Sequence, residues 1–246
     1  MEKIILLTND DGPESIGLEA AYNAIKNLGR VEVIVPEHQR SATGKALTLD
    51  RPLRLRKIRW NNISIWVHDG KPADSIIFAT HLFGIENIRL VVSGINSGAN
   101  VSYQSMFTSG TVGAAMEAAM LSIPAIALSM EVKPEFWFTN NKPPNNLDKI
   151  IEISSEIVRN VLENGLPDCD FLNVNFPEIV DENTQIKYTK PAMTRIFNSM
   201  MECTDPHGVK CYWISGEQIK TNKGEDAYVL TVEQNITISK IKINMV

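Results

Sequence analysis

The chain has 246 residues, 43% of them hydrophobic and 22% charged, with a formal net charge of -5. Such a balance excludes a broad surface for a nucleic-acid polymer, which needs clustered Lys and Arg to displace counterions. It leaves room for one small phosphorylated ligand held by local donors or a metal.

No apolar run is long enough to span a bilayer. The run that follows Met1 is too short for a signal segment and lacks a small-residue cleavage site. The expected setting is therefore cytoplasmic, with no membrane partner. Three cysteines, Cys169, Cys203 and Cys211, are too few and too scattered for a disulfide framework. Cys203, His207 and Cys211 raise the question of zinc, but no fourth ligand lies nearby.

Strand and helix signals alternate along the first half. Ile4 to Thr8 is a short continuous apolar run, as in a strand buried on both faces. From Ile16 to Leu28 the apolar residues fall at helical spacing, and Gly29 supplies a stop. Val31 to Val35 is a second buried strand. Leu47 to Val67 contains an alternating pattern around Asn61-Asn62, which predicts a β-hairpin. Pro72 to Phe83 is helical. Leu90 to Val92, Thr111 to Leu121 and Ala125 to Ser129 repeat strand, helix, strand. Leu147 to Leu162 is an amphipathic helix and Phe171 to Asn175 another strand.

Repeated β-α-β units imply a mostly parallel sheet with helices on both faces. Residues 1–177 therefore read as a doubly wound α/β core. Residues 178–246 read as a β-rich extension, with strands at 185–190, 210–215 and 228–243 and turn-rich gaps at 198–208 and 221–226. This suggests a hairpin arm and a C-terminal edge strand, of the kind that pairs with another subunit.

In open α/β sheets, ligands bind beyond the carboxyl ends of the strands. Three polar loops leave such ends: Thr8 to Pro13, Pro36 to Gly44, and Ser93 to Asn100. Asp10 and Asp11 are the sharpest feature. Adjacent carboxylates on a tight turn repel unless a cation sits near them, and hard oxygen ligands suit Mg²⁺ or Mn²⁺. Ser41 and Asn96 could complete the sphere. The plainer reading is a turn, since Asn-Asp-Gly favours turns and an Asp can cap a following helix. Ser109, Gly110 and Thr111 open a helix whose backbone N–H groups would suit a phosphate; alone, they would be an ordinary N-cap. Arg40 and Lys45 could meet phosphate, His38 could be a general acid, and Asp74 could cap a helix. For His68 and Glu117 a structural role is expected.

The series Leu-Leu-Thr-Asn-Asp-Asp-Gly, Pro-Glu-His-Gln-Arg-Ser-Ala-Thr-Gly, Gly-Lys-Pro-Ala-Asp, Val-Ser-Gly-Ile-Asn-Ser-Gly-Ala-Asn and Ser-Gly-Thr-Val-Gly-Ala-Ala-Met-Glu-Ala-Ala resembles the SurE family. These are survival protein E phosphatases, also called 5′-nucleotidases. The match is dense from Ile4 to about Ser129, and Asn173 to Pro177 adds to it. The resemblance implies a Rossmann-like core with a swapped C-terminal arm, in a homodimer or homotetramer. It implies one divalent cation per subunit at Asp10, Asp11, Ser41 and Asn96, and substrate phosphate near Asn100, Ser109, Gly110 and Thr111. It also implies hydrolysis of 5′- and 3′-nucleoside monophosphates and of short polyphosphate. The chain departs from the family pattern at Lys71 and in its C-terminal segment, Gln234 to Ile241.

Two rival readings stay open. One is a phosphotransferase with an aspartyl nucleophile on the first strand, although such enzymes space their aspartates two apart. The other is a non-catalytic nucleotide-binding regulator.

Overall fold

The computed structural model describes residues 3–133 and 147–243. Strand β1 (Ile4–Thr8) leads to helix α1 (Ile16–Ile25), β2 (Arg30–Pro36), the hairpin β3 (Leu55–Trp60) and β4 (Ile63–His68), and α2 (Pro72–Phe83). Then come β5 (Ile88–Ser97), α3 (Ser102–Thr108), α4 (Gly110–Met120), β6 (Ala125–Met130), α5 (Leu147–Asn164) and β7 (Phe171–Phe176). The last elements are β8 (Ile186–Thr189), β9 (Ile196–Thr204), β10 (Lys210–Gln218), α6 (Asp226–Thr231) and β11 (Ile236–Ile241).

Among the described residues, nine strands form one sheet in the order β3-β4-β2-β1-β5-β6-β7-β11-β8. It is parallel from β4 to β7; β3 and β11 run antiparallel to β4 and β7. Strand β1 lies inside the sheet, and all five of its residues are buried. Along it, Ile5 and Leu7 join one core and Ile4 and Leu6 the other, the two-residue alternation of a strand. Helices α1 and α5 cover the first face, and α2 and α4 the second. Helix α5 shows how sequence dictates this: Ile150, Ile153, Ser154, Ile157, Val158 and Val161 are buried at helical spacing. The fold is thus the expected Rossmann-like, doubly wound, mostly parallel sheet with a β-rich C-terminal extension.

The hairpin turn falls at Asn61 and Asn62, whose φ angles are 43° and 66°. Two consecutive positive values fit the tight turn that matches strand twist, and Asn tolerates them best after Gly. Pro72 opens α2, and Asp74 caps it by accepting from the Lys71 N–H at 2.8 Å.

Four expectations need correction. Helix α1 stops at Ile25, three residues before Leu28, because Leu28 N–H closes a turn onto the Ile25 carbonyl. Residues 198–204 are strand: they pair with β10 although their side chains are mostly exposed, so the apolar alternation that marks a strand is missing. Residues 226–231 are helix α6, whose Ala227 and Leu230 fill a small core with Val101 and Ala192. The C-terminal strand β11 is internal, and β8 holds the edge.

Candidate active site

The strand order branches around β1, which has β2 on one side and β5 on the other. The crevice beyond such a switch point is where open α/β sheets bind ligands. Leaving β1, the buried Asn9 locks the turn: its amide donates to the Gly12 carbonyl at 2.9 Å and accepts from the Gly12 N–H at 3.2 Å. Asn9 makes the turn, and Asp10 and Asp11 are left to project from it.

Asp10 is 3% exposed. Its Oδ1 accepts a hydrogen bond from the Thr111 hydroxyl at 2.5 Å, and the Thr111 backbone also donates to the carboxylate. Gly110 makes this approach possible. A Cβ at that position would stand 2.8 Å from the Asp10 Cβ and 2.9 Å from its Oδ2. Burial, with the neighbouring charge of Asp11, pushes the Asp10 carboxyl up to about 7, against the opposing pull of Thr111. The first turn of α4 therefore faces this carboxylate, and Ser109 caps the helix by accepting from Val112 N–H at 3.2 Å.

Asp11 is held by the Gln39 amide at 3.2 Å and the Ser97 N–H at 3.4 Å. Burial raises its pKa, and those two hydrogen bonds work against the rise. The two tethers reach the loop after β2 and the end of β5, the segments that carry Ser41 and Asn96. Ser41 is exposed beside Arg40, whose N–H donates to the Asp10 carbonyl at 2.7 Å. Asn96 lies on β5 itself, not on a loop, because the strand runs five residues past Val92. The register against β6 shifts between Ser93 and Asn96, and such irregularities re-aim side chains beside sites. Gly94 has a φ of 130° there, and a Cβ would stand 2.2 Å from the Leu128 carbonyl oxygen. The Asn96 amide donates to the Gly98 carbonyl at 2.7 Å.

Asn100 is buried in a polar network absent from the sequence reading. Its N–H donates to Asn175 Oδ1 at 2.7 Å, its amide to Ser129 Oγ at 2.8 Å, and its carbonyl accepts from the Asn173 amide at 2.8 Å. Asn173 and Asn175 alternate with the apolar residues of β7, an available signal: two amides within a buried strand require partners. Arg40 and Lys45 do not point to phosphate. The Arg40 guanidinium donates to the carbonyls of Asp69 and Gly70 at 3.0 and 3.1 Å, and Lys45 pairs with the buried Glu117. His68 is structural, as expected. Its Nδ1 accepts from Gly70 N–H, which leaves Nε2–H to donate to Ser75, and burial pushes the ring down to about 4.

A cleft of about 420 Å³ opens beside Asp11, lined also by Glu37, His38, Gln39, Arg56 and Ser97. Among the described residues, no Lys or Arg forms an ion pair with Asp10 or Asp11; Arg56, which shares the cleft with Asp11, pairs with Glu37 at 3.1 Å. A buried carboxylate and a half-buried neighbour, held only by neutral donors, are a pair that a bound cation would balance. No group of three or more His, Cys, Asp or Glu assembles among the described residues, so the remaining donors would be hydroxyl, amide and water oxygens. That set fits a hard divalent ion.

A family model described as Survival protein SurE matches residues 5–198. The 5'-nucleotidase SurE of Thermococcus kodakarensis is 41% identical over 98% of this chain and 93% of its own length. That of Hyperthermus butylicus is 38% identical over 98% and 85%. The crystal structure of the SurE protein from Aquifex aeolicus superposes with a TM-score of 0.80 at 31% identity, covering 99% of this chain and 94% of that one. Spanning the sheet, the switch-point turn and most of the C-terminal extension, these matches place the chain in the SurE family.

Proposed function

We propose that this protein is a divalent-cation-dependent phosphatase that hydrolyses nucleoside 5′-monophosphates to nucleoside and phosphate, with 3′-monophosphates and short polyphosphate as further substrates. One observation carries the reading: the buried Asp10 and the half-buried Asp11 beside a cleft are pinned by the neutral groups of Thr111, Gln39 and Ser97 and form no ion pair among the described residues, the Arg56 of the cleft being paired with Glu37. The names of the relatives agree with it.

In this reading Asp10, Asp11, Ser41 and Asn96 hold one Mg²⁺ or Mn²⁺ per subunit. Bound there, the cation would balance the two carboxylates, polarise the phosphoryl group and lower the pKa of a water. Asp10 orients the attacking water or takes its proton. Thr111 fixes one Asp10 oxygen, which sets the direction of the other. The turn at Ser109, Gly110 and Thr111, together with Asn100, lies against the phosphoryl oxygens in this reading; Ser109 N–H is taken by the Ser105 carbonyl at 3.0 Å and Thr111 N–H by Asp10, which leaves the Gly110 N–H and the second Asn100 amide hydrogen as the donors to that charge. In this reading His38 and Gln39, which line the cleft, meet the nucleoside.

The arm β9–β10 exposes Phe197, Trp213 and Ile214 at 69, 67 and 75%. An apolar surface of that size suits association, and we assign it to pairing with a second copy, in a homodimer or homotetramer. The cytoplasm is the assigned location; among the described residues, no helix is long and apolar enough to cross a membrane.

Phosphate release from adenosine monophosphate, with Mg²⁺, Mn²⁺ or chelator, tests the reading. Release should require the metal and should be nearly abolished in Asp10→Asn and Asp11→Asn while the fold survives. Near-normal turnover in either variant, or in chelator, overturns the assignment. Binding without phosphate release under every metal would favour a regulator instead.

A further inference from the structure

Cys203 and Cys211 face each other directly across the antiparallel ladder of β9 and β10. Their sulfurs are 2.7 Å apart, and Cys203 Sγ also lies 3.4 Å from the Cys211 carbonyl oxygen. Opposed residues in an antiparallel pair have Cα atoms about 4.5–5.5 Å apart, within the span of about 4.4–6.8 Å that a disulfide bridges. The turn that joins the strands fixes this register. Asp205 N–H donates to the Val209 carbonyl at 2.9 Å, and Asp205 Oδ1 accepts from the N–H groups of His207 and Val209 at 2.8 and 2.9 Å. Both thiols are partly exposed in the single subunit, on the face of the hairpin that also carries Phe197 and Trp213. His207 does not join them in a metal-binding cluster.

We propose that Cys203 and Cys211 are a reversible dithiol–disulfide pair that staples the arm. The oxidant is a small disulfide of the glutathione class. The thiolate of one cysteine attacks a sulfur of that disulfide, giving a mixed disulfide and one free small thiol. The second cysteine, losing its proton, displaces the other small thiol. The protein gains one S–S bond and loses two S–H bonds; the oxidant is reduced to two thiols. The device suits its place. A two-stranded hairpin is marginally stable alone, β9 and β10 form a two-stranded sheet among the described residues, and a cross-link near the turn restricts its opening. Cys169 lies apart, before β7, where burial raises its pKa, and serves as an internal control. The inference concerns the arm and stands whether or not the phosphatase reading holds.

Lys210 lies between the two cysteines and Arg195 precedes both, so trypsin separates them into the peptides 196–210 and 211–220. The full-length protein is reduced, treated with oxidised glutathione, alkylated, denatured and digested. The expected product is these two peptides joined and released by dithiothreitol, with Cys169 alkylated. Limited proteolysis within 196–218 should slow several-fold on oxidation in the wild type but not in Cys203→Ser or Cys211→Ser. Persistent glutathione adducts on wild-type Cys203 or Cys211, alkylation of both thiols, or a bond that links two subunits would each overturn the proposal.

Discussion

The Thr111 hydroxyl donates to Asp10 Oδ1 across 101 positions of sequence, joining the first turn of α4 to the end of β1. The bond places a helix N-terminus against a buried carboxylate, and both the helix dipole and the hydroxyl favour its charged form. Thr111→Val keeps the shape and removes the donor. Supporting hydrogen bonds of this kind are worth about 10–100-fold in metal affinity or activity. Phosphate release titrated with Mn²⁺ should show kcat lowered by that factor, a higher metal requirement and little change in nucleotide KM. Unchanged metal dependence would separate Thr111 from the site.

Gly110 permits that contact by having no side chain. In Gly110→Ala the new methyl meets Asp10 at under 3.0 Å, so the helix or the carboxylate must shift. Overpacking of this kind costs about 1–3 kcal/mol. Urea denaturation should report that loss, and activity should fall further than stability does. Normal kinetics would show that the Asp10 position tolerates displacement.

Lys45 and Glu117 tie the loop after β2 to α4, with Gly44 N–H donating to the Thr108 carbonyl at 2.8 Å nearby. Removing one partner leaves a buried charge uncompensated. Lys45→Met should cost about 3 kcal/mol in urea unfolding, and the double variant Lys45→Met with Glu117→Leu should recover most of it. Additive losses in the double variant would mean the pair is not coupled.

His68 makes stability depend on pH. Its folded pKa, about 4, lies below the ordinary imidazole value of 6.5. The unfolded chain therefore binds the proton more readily, and the contribution present above pH 6.5 is lost as pH falls towards 4. The shift corresponds to about 3 kcal/mol. Between pH 7 and 4, the stability advantage of wild type over His68→Gln should shrink by about that amount. A constant difference would show that the ring is not held neutral.

The alternation of apolar segments reveals the sheet and its helices because burial on both faces leaves a periodic trace. Asp10 and Asp11 stand out because adjacent acids on a turn need a reason. What stays hidden has a physical cause as well. Strand β9 shows no alternation because its side chains are mostly exposed. The roles of Arg40 and Lys45 depend on the carbonyls of Asp69 and Gly70 and on Glu117, which only the folded chain brings near. The Asn100 network likewise joins the loop after β5 to β6 and β7, and the pairing of Cys203 with Cys211 depends on a register that a nonperiodic strand cannot announce.

The position of β11 bears on how the molecule is made. It lies between β7 and β8, and Gln185 N–H, just before β8, meets Asn235, which is 50 residues later in the chain. During synthesis β8 leaves the ribosome with no neighbour to pair with, and its place in the sheet stays open until β11 is delivered. Pairings that wait on distant sequence are slow and expose edges meanwhile. Nascent chains arrested before Ile236 should hold an ordered β1–β7 layer with β8 still sensitive to protease.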